Sequence, residues 1–232
     1  MNDYRGRHVV VTGGTGALGS AVVGALIEAG AVCHVPVHDL KGAERFSYRG
    51  HAQVKLASVG DLADGDAVTR FYGGISHVWA SIHIAGGFAA APVAETSKAD
   101  LMRQIDMNFV TCFLCCRAAV TAMAETGGRI VNVAARPALE WRSGAGMAAY
   151  TASKAAVAAL TVALAEEVAK QDILVNAVAP SIMDTPANRQ AMPKADHAAW
   201  PKVEEVAATI LFLASPENRV TRGAIVPVYG RS

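Results

Sequence analysis

The segment Val11-Thr12-Gly13-Gly14-Thr15-Gly16-Ala17-Leu18-Gly19 limits what this chain can fold into more than any other. It follows the apolar run Val9-Val10-Val11 and opens an apolar helical pattern that continues to Ala29. Glycines at the spacing of Gly13, Gly16 and Gly19 let a chain turn sharply from strand to helix and let a second backbone come close. The first N–H groups of the helix are then left without intrahelical partners, at the positive end of the helix dipole, where phosphate oxygens can be held. A tight turn with no ligand stays open from this feature alone. Either way, a buried strand feeding a helix is the opening of a βαβ unit.

The same alternation runs through the rest of the chain. Near-continuous apolar runs at residues 8–12, 32–37, 53–57, 78–85, 129–134, 174–179 and 224–228 read as seven strands covered on both faces. Helical patterns fall between them at residues 17–29, 64–72, 98–123, 148–170 and 203–214. We expect a single-domain, Rossmann-type, doubly wound α/β fold over residues 1–232, with a parallel sheet of about seven strands. The length of 232 residues and the 52% hydrophobic share suffice for one large core. Pro180, Pro186, Pro193 and Pro201 interrupt any regular pattern, so residues 181–202 are expected to form a substrate lid.

Charge and cysteine content narrow the partners. Net charge is +1 and no basic run could track a phosphate backbone, so nucleic acid is not expected. The polar start Met1-Asn2-Asp3-Tyr4-Arg5-Gly6-Arg7 lacks the pattern of a secretory signal, and no eighteen apolar residues run uninterrupted. A cytoplasmic protein with a small-molecule substrate and no membrane partner is expected. Cys112, Cys115 and Cys116 could be taken for a redox or metal cluster, but they lie in an apolar helical stretch without a neighbouring His or a second Cys-x-x-Cys to pair with Cys112-Phe113-Leu114-Cys115, and read as small core or interface hydrophobes. No metal is expected.

Tyr150 and Lys154 stand one helical turn apart in Ala149-Tyr150-Thr151-Ala152-Ser153-Lys154-Ala155. An ammonium beside a phenol favours the phenolate and can turn a sluggish group into a proton donor and acceptor near neutral pH. A Tyr and a Lys four apart also occur on ordinary helices, with the ring half-buried and the amine in water. Order and combination with the glycine turn separate the two readings.

Together these segments resemble the short-chain dehydrogenase/reductase superfamily over nearly the whole chain. The matching pieces are Thr12 to Gly19, Asp61-Leu62, His83-Ile84-Ala85-Gly86, Asn108, the Tyr150 to Lys154 pair, and Pro180-Ser181-Ile182-Met183-Asp184-Thr185. The resemblance implies an NAD(P)-dependent oxidoreductase that passes a hydride between nicotinamide and a carbonyl or imine of a small, ring-containing substrate. It assigns catalysis to Tyr150, Lys154 and Asn108, with Asn108 holding a water in a proton relay. It assigns the cofactor to Gly13, Thr15, Gly16, Ala17, Leu18, Gly19, His38, Asp39, Asp61, Leu62, Ala85, Gly86, Tyr150, Lys154, Pro180, Ile182 and Thr185. It also implies a homodimer or homotetramer.

Three departures bear on function. Ala134 and Ala135 stand where the family usually has a serine that orients the substrate carbonyl, and the loss of such a donor weakens transition-state stabilisation. Dihydropteridine reductase, which reduces a quinonoid pterin, is similar in having alanine there, and the likeness extends to Gly86-Gly87-Phe88, Ala134 to Glu140 and Asp184 to Asp196. The alternative is a dinucleotide-binding sensor or scaffold with weak or lost catalysis. At the end of the second strand, Val37 fills the usual acid position, with His38 next and Asp39 one place late. Asp39 suits the ribose hydroxyls of NAD, while His38 and Lys41 suit the phosphate of NADP, with NAD slightly favoured. Finally, Ala17 replaces the middle glycine of the simplest family members, and is small enough for close approach.

Overall fold

A computed structural model describes residues 3–232. Met1 and Asn2, which the sequence reading placed in the polar start, lie outside the described residues. The chain alternates β1 (His8–Thr12), α1 (Ala17–Glu28), β2 (Val32–Val37), β3 (Val54–Ser58), α2 (Gly65–Gly73) and β4 (Val78–His83). It continues through α3 (Lys98–Ile105), a π turn (Asp106–Val110), α4 (Thr111–Met123), β5 (Gly128–Val133), α5 (Ala148–Glu167) and β6 (Ile173–Pro180), and ends with α6 (Pro186–Ala191), α7 (Val203–Ala214) and β7 (Ile225–Val228). All seven strands pair in parallel in the order β3-β2-β1-β4-β5-β6-β7. Strand order reverses between β1 and β4, and in open α/β sheets that switch leaves a crevice at the strands' carboxyl ends.

Burial on both faces explains why the strands read as continuous apolar runs. Val9 and Val11 face the core beneath α1 and α7, while Val10 between them faces the opposite core beneath α2, α4 and α5. All three are fully buried, and each contributes about 1.5–3 kcal/mol relative to exposure. The segments 98–123 and Ala148–Glu167 are long and apolar enough by composition to cross a bilayer. Both instead send a face into the sheet's second core, through Cys115, Ala119 and Met123 on one and Val157 and Ala165 on the other.

Most element boundaries differ from the sequence reading by a residue or so, and a few differ by more. β3 starts and ends one residue later, and β4 stops at His83 because the chain leaves the ladder to form the loop over the crevice. The helix expected over 148–170 ends at Glu167, followed by a short 3-10 turn. The lid is not wholly irregular: Thr185 caps α6, accepting the Asn188 N–H at 3.2 Å, and Asp184 pairs with Arg189 at 2.6 Å. The helix expected over 98–123 slips to a five-residue hydrogen-bond repeat at Asp106–Val110, a shift that apolar periodicity does not encode.

Candidate active site

The glycine turn builds one end of the crevice. Gly13 has φ +66°, and a Cβ there would lie 2.7 Å from the Ala85 backbone nitrogen, so the turn and the loop after β4 close on each other only because Gly13 has no side chain. Gly19 serves packing: a Cβ on it would fall 2.1 Å from the Gly13 carbonyl oxygen. Gly16 is the N-cap of α1, with no side-chain cap and no acidic residue in the first turn. The first N–H groups of α1 therefore stay available to an anion.

From this turn a cavity of about 780 Å³ runs along the sheet's carboxyl edge. Gly13, Thr15, His38, Asp39, Asp61, Leu62, Ala85 and Gly86 line it, as the sequence reading expected. Asp39 accepts the Gly42 N–H at 2.7 Å and Asp61 accepts the Ala63 N–H at 2.8 Å, bonds that fix both carboxylates in turns at the rim. The uncapped helix start, the close glycine approach and the acidic rim fit a dinucleotide. Arg103, Asp106, Met107 and Thr111 also line the cavity and were missed from sequence, since the π turn decides which helix side faces inward.

Other expected contacts are not at the wall. Ala17 and Leu18 approach an anion only through backbone N–H, since the Leu18 side chain is buried in the core. Pro180 ends β6, Ile182 is exposed, and the Thr185 hydroxyl is committed to capping α6, so none of the three lines the cavity, and Tyr150 and Lys154, also expected at the cofactor, lie off this wall as well.

At the inner end, Asn108 is buried by the π turn. Its Oδ1 accepts the Gly87 N–H at 3.0 Å, while Nδ2 donates to the Gly87 carbonyl and to Ser153 Oγ, both at 3.1 Å. Ser153 Oγ in turn donates to the Tyr150 carbonyl at 2.7 Å. Asn108 thus clamps the loop after β4 to the turn of α5 that bears Tyr150. A Cβ on Gly86 would meet Asn108 Oδ1 at 2.5 Å and lie 3.6 Å from Lys154 Nζ, so this glycine sits directly over both groups.

Lys154 is buried and donates to the Val133 carbonyl at 2.8 Å. Burial pulls its ammonium down to about 8. Tyr150, on the same face of α5, meets the Phe88 ring edge-on at a centroid distance of 4.9 Å. Burial pushes its phenol up to about 12. This corrects the expectation that the lysine acidifies the tyrosine: in the protein alone desolvation dominates both groups and moves each toward its neutral form. Ala135 is buried beside this turn and supplies no hydroxyl.

A family model described as short chain dehydrogenase matches residues 7–196. The chain belongs to that family. It is 36% identical over 240 residues to galactitol 2-dehydrogenase of Rhizobium johnstonii, covering 96% of this chain and 93% of the relative. It is 31% identical to 2-dehydro-3-deoxy-L-rhamnonate dehydrogenase (NAD(+)) of a Sphingomonas species, covering 98% and 95%. The crystal structure of a short-chain dehydrogenase/reductase from Brucella melitensis, titled glucose/ribitol dehydrogenase, superposes with TM-score 0.88 at 28% identity over 99% of this chain and 97% of the other. This short-chain dehydrogenase is an NAD(P)-dependent oxidoreductase of small molecules.

Proposed function

We propose that the protein reduces a carbonyl or imine of a small, ring-containing molecule with NADH, Tyr150 delivering the proton. The observation behind this is the placement of Tyr150 and Lys154 one turn apart on α5, with Lys154 Nζ 3.6 Å from where a Cβ on the cavity-lining Gly86 would lie. Bound nicotinamide supplies the hydride. A phenol held near 12 stays protonated at neutral pH, which suits donation to a substrate anion better than abstraction from an alcohol. Lys154 keeps free N–H donors beyond its bond to Val133 and would use them on the nicotinamide ribose. Asn108 holds loop and helix in register and would order a water of the relay beside Lys154.

Without a serine hydroxyl at Ala135, an imine-type substrate that needs little carbonyl polarisation fits the site best. Phe88, 63% exposed and set against Tyr150, offers an aromatic edge to a flat ring. Asp39 supports NAD: its carboxylate lines the cavity and opposes a ribose phosphate, whereas Lys41 is not on the wall. The named NAD(+) relative supports the same choice. This protein's four free, buried cysteines suit a reducing, cytoplasmic setting. Leu101, Phe113 and Val162 stand exposed on α3, α4 and α5 and would be covered in a homodimer or homotetramer.

Calorimetric titration with NADH and NADPH, followed by turnover on ketones, polyols and quinonoid dihydropterin, tests the proposal. NADH binding about tenfold tighter, with turnover on the ring imine, is expected. Preference for NADPH would refute the cofactor assignment. Tight binding with no turnover on any substrate would leave a dinucleotide sensor.

A further inference from the structure

We propose that His83, Cys112, Cys116 and Asn132 form a closed binding site for one zinc-class divalent cation inside the sheet–helix core. The sequence reading expected no metal at these cysteines, because the histidine comes from a different element. His83 and Asn132 are register partners on neighbouring parallel strands, so their side chains leave the sheet on one face. Cys112 and Cys116 lie one turn apart on α4, which packs on that face. The imidazole nitrogen and both sulfurs come within 4.8 Å of one another, and all three residues are buried.

Three of the ligand-to-ligand separations match a tetrahedral ion. Bonds of about 2.0–2.3 Å to N, O and S imply ligand-to-ligand edges of roughly 3.3–3.8 Å. Asn132 Oδ1 lies 3.3 Å from Cys112 Sγ and 3.5 Å from Cys116 Sγ, and Cys116 Sγ lies 3.5 Å from His83 Nδ1. The His83 Nδ1 to Asn132 Oδ1 edge, at 2.8 Å, is shorter and would have to open by a few tenths of an ångström.

The surrounding hydrogen bonds aim the ligand atoms at one point. Asn132 Nδ2 donates to Thr161 Oγ1 at 2.9 Å, and Thr161 Oγ1 donates to the Val157 carbonyl at 2.8 Å, so Oδ1 is the amide atom facing the cluster. Without a cation, His83 Nδ1–H donates to Asn132 Oδ1 at 2.8 Å and Ser81 Oγ, 2.8 Å from Nε2, donates to that nitrogen; binding a cation would move the proton to Nε2, which would then donate to Ser81 Oγ and leave the Nδ1 lone pair directed inward. Without a cation, three proton-bearing groups converge on one carbonyl oxygen with two lone pairs. Replacing the two thiol protons by one divalent cation satisfies every group and leaves the cluster with no net charge.

The test is refolding with cobalt as a spectroscopic stand-in for zinc. Wild-type protein unfolded in guanidinium with a phosphine reductant is diluted into buffer containing a slight excess of Co²⁺. One equivalent retained after gel filtration, with a thiolate-to-cobalt charge-transfer band, is expected. Elemental analysis of protein purified from zinc-supplemented cells should show the same stoichiometry. The Cys115→Ala variant alters the same helix outside the cluster and should keep the band. C112A/C116A should lose it, and His83→Gln should weaken retention at least tenfold, giving a second readout if the double variant fails to fold. No band in refolded wild type together with no zinc in purified protein, or an equal band in C112A/C116A and His83→Gln, would overturn the proposal.

Discussion

Replacing Lys154 with Met should make the protein more stable and less active. The ammonium is buried, and its descent from 10.5 to about 8 means that the charged form costs about 3 kcal/mol in the fold near pH 7. Met keeps the aliphatic stem and removes the charge. Loss of the bond to the Val133 carbonyl gives back about 1 kcal/mol. The net gain is about 2 kcal/mol, a rise in Tm of roughly 4–8 °C for a domain of this size. The sign with pH follows from linkage: the folded lysine loses its proton at about 8 and the unfolded one at 10.5, so across that window the unfolded state binds more protons. Wild-type stability therefore rises with pH there, and the gap to Lys154→Met closes. Thermal unfolding of both proteins near pH 7 and in the alkaline range measures this. A variant that melts below wild type near neutrality, or a gap that persists at high pH, would refute the reasoning.

The glycine turn predicts a contrast: Gly19→Ala forces a Cβ against the Gly13 carbonyl and should destabilise by about 2–3 kcal/mol in urea unfolding, with loss of dinucleotide binding. Gly16→Ala meets its nearest atom only at 3.4 Å and should stay within about 1 kcal/mol of wild type. At the opposite end of the sheet, His34 Nε2 lies 3.0 Å from His8 Nδ1, and burial, with the neighbouring His8 and Lys55, pulls His34 down to about 4. Its unfolded form protonates near 6.5, so the stability it contributes is present above that value and lost as pH falls toward 4. His34→Asn should flatten the urea-midpoint slope across this range. Light scattering at micromolar concentration should show a dimer or larger, and Phe113→Arg with Val162→Arg should shift it toward monomer.

Much of the fold was legible because the strands are buried on both faces. The run Val9-Val10-Val11 needs two cores, and only a sheet covered by helices on each side supplies them. Gly13 and Thr15 could be placed from the glycine turn, and Asp39, Asp61 and Gly86 from the family resemblance, which ties them to strand ends. The slip at Asp106–Val110 was not legible, and with it went Met107 and Asp106 as wall residues, since a repeat of five leaves no mark in apolar spacing. The direction of the Tyr150 and Lys154 shifts was missed for another reason. Spacing reports that two groups share a helix face, whereas desolvation depends on what the rest of the chain packs around them. His83 beside Cys112 and Cys116 is a contact between β4 and α4 that sequence separation hides.

The central claim is that the Tyr150 phenol delivers the proton at the inner end of the dinucleotide cavity. Single-turnover reduction by the Tyr150→Phe variant, with its NADH affinity measured in parallel, tests it most directly. The account predicts a rate lower by about 10²–10⁴-fold, the usual contribution of a positioned acid, with an NADH dissociation constant within about threefold of wild type. Turnover retained at close to the wild-type rate would contradict it.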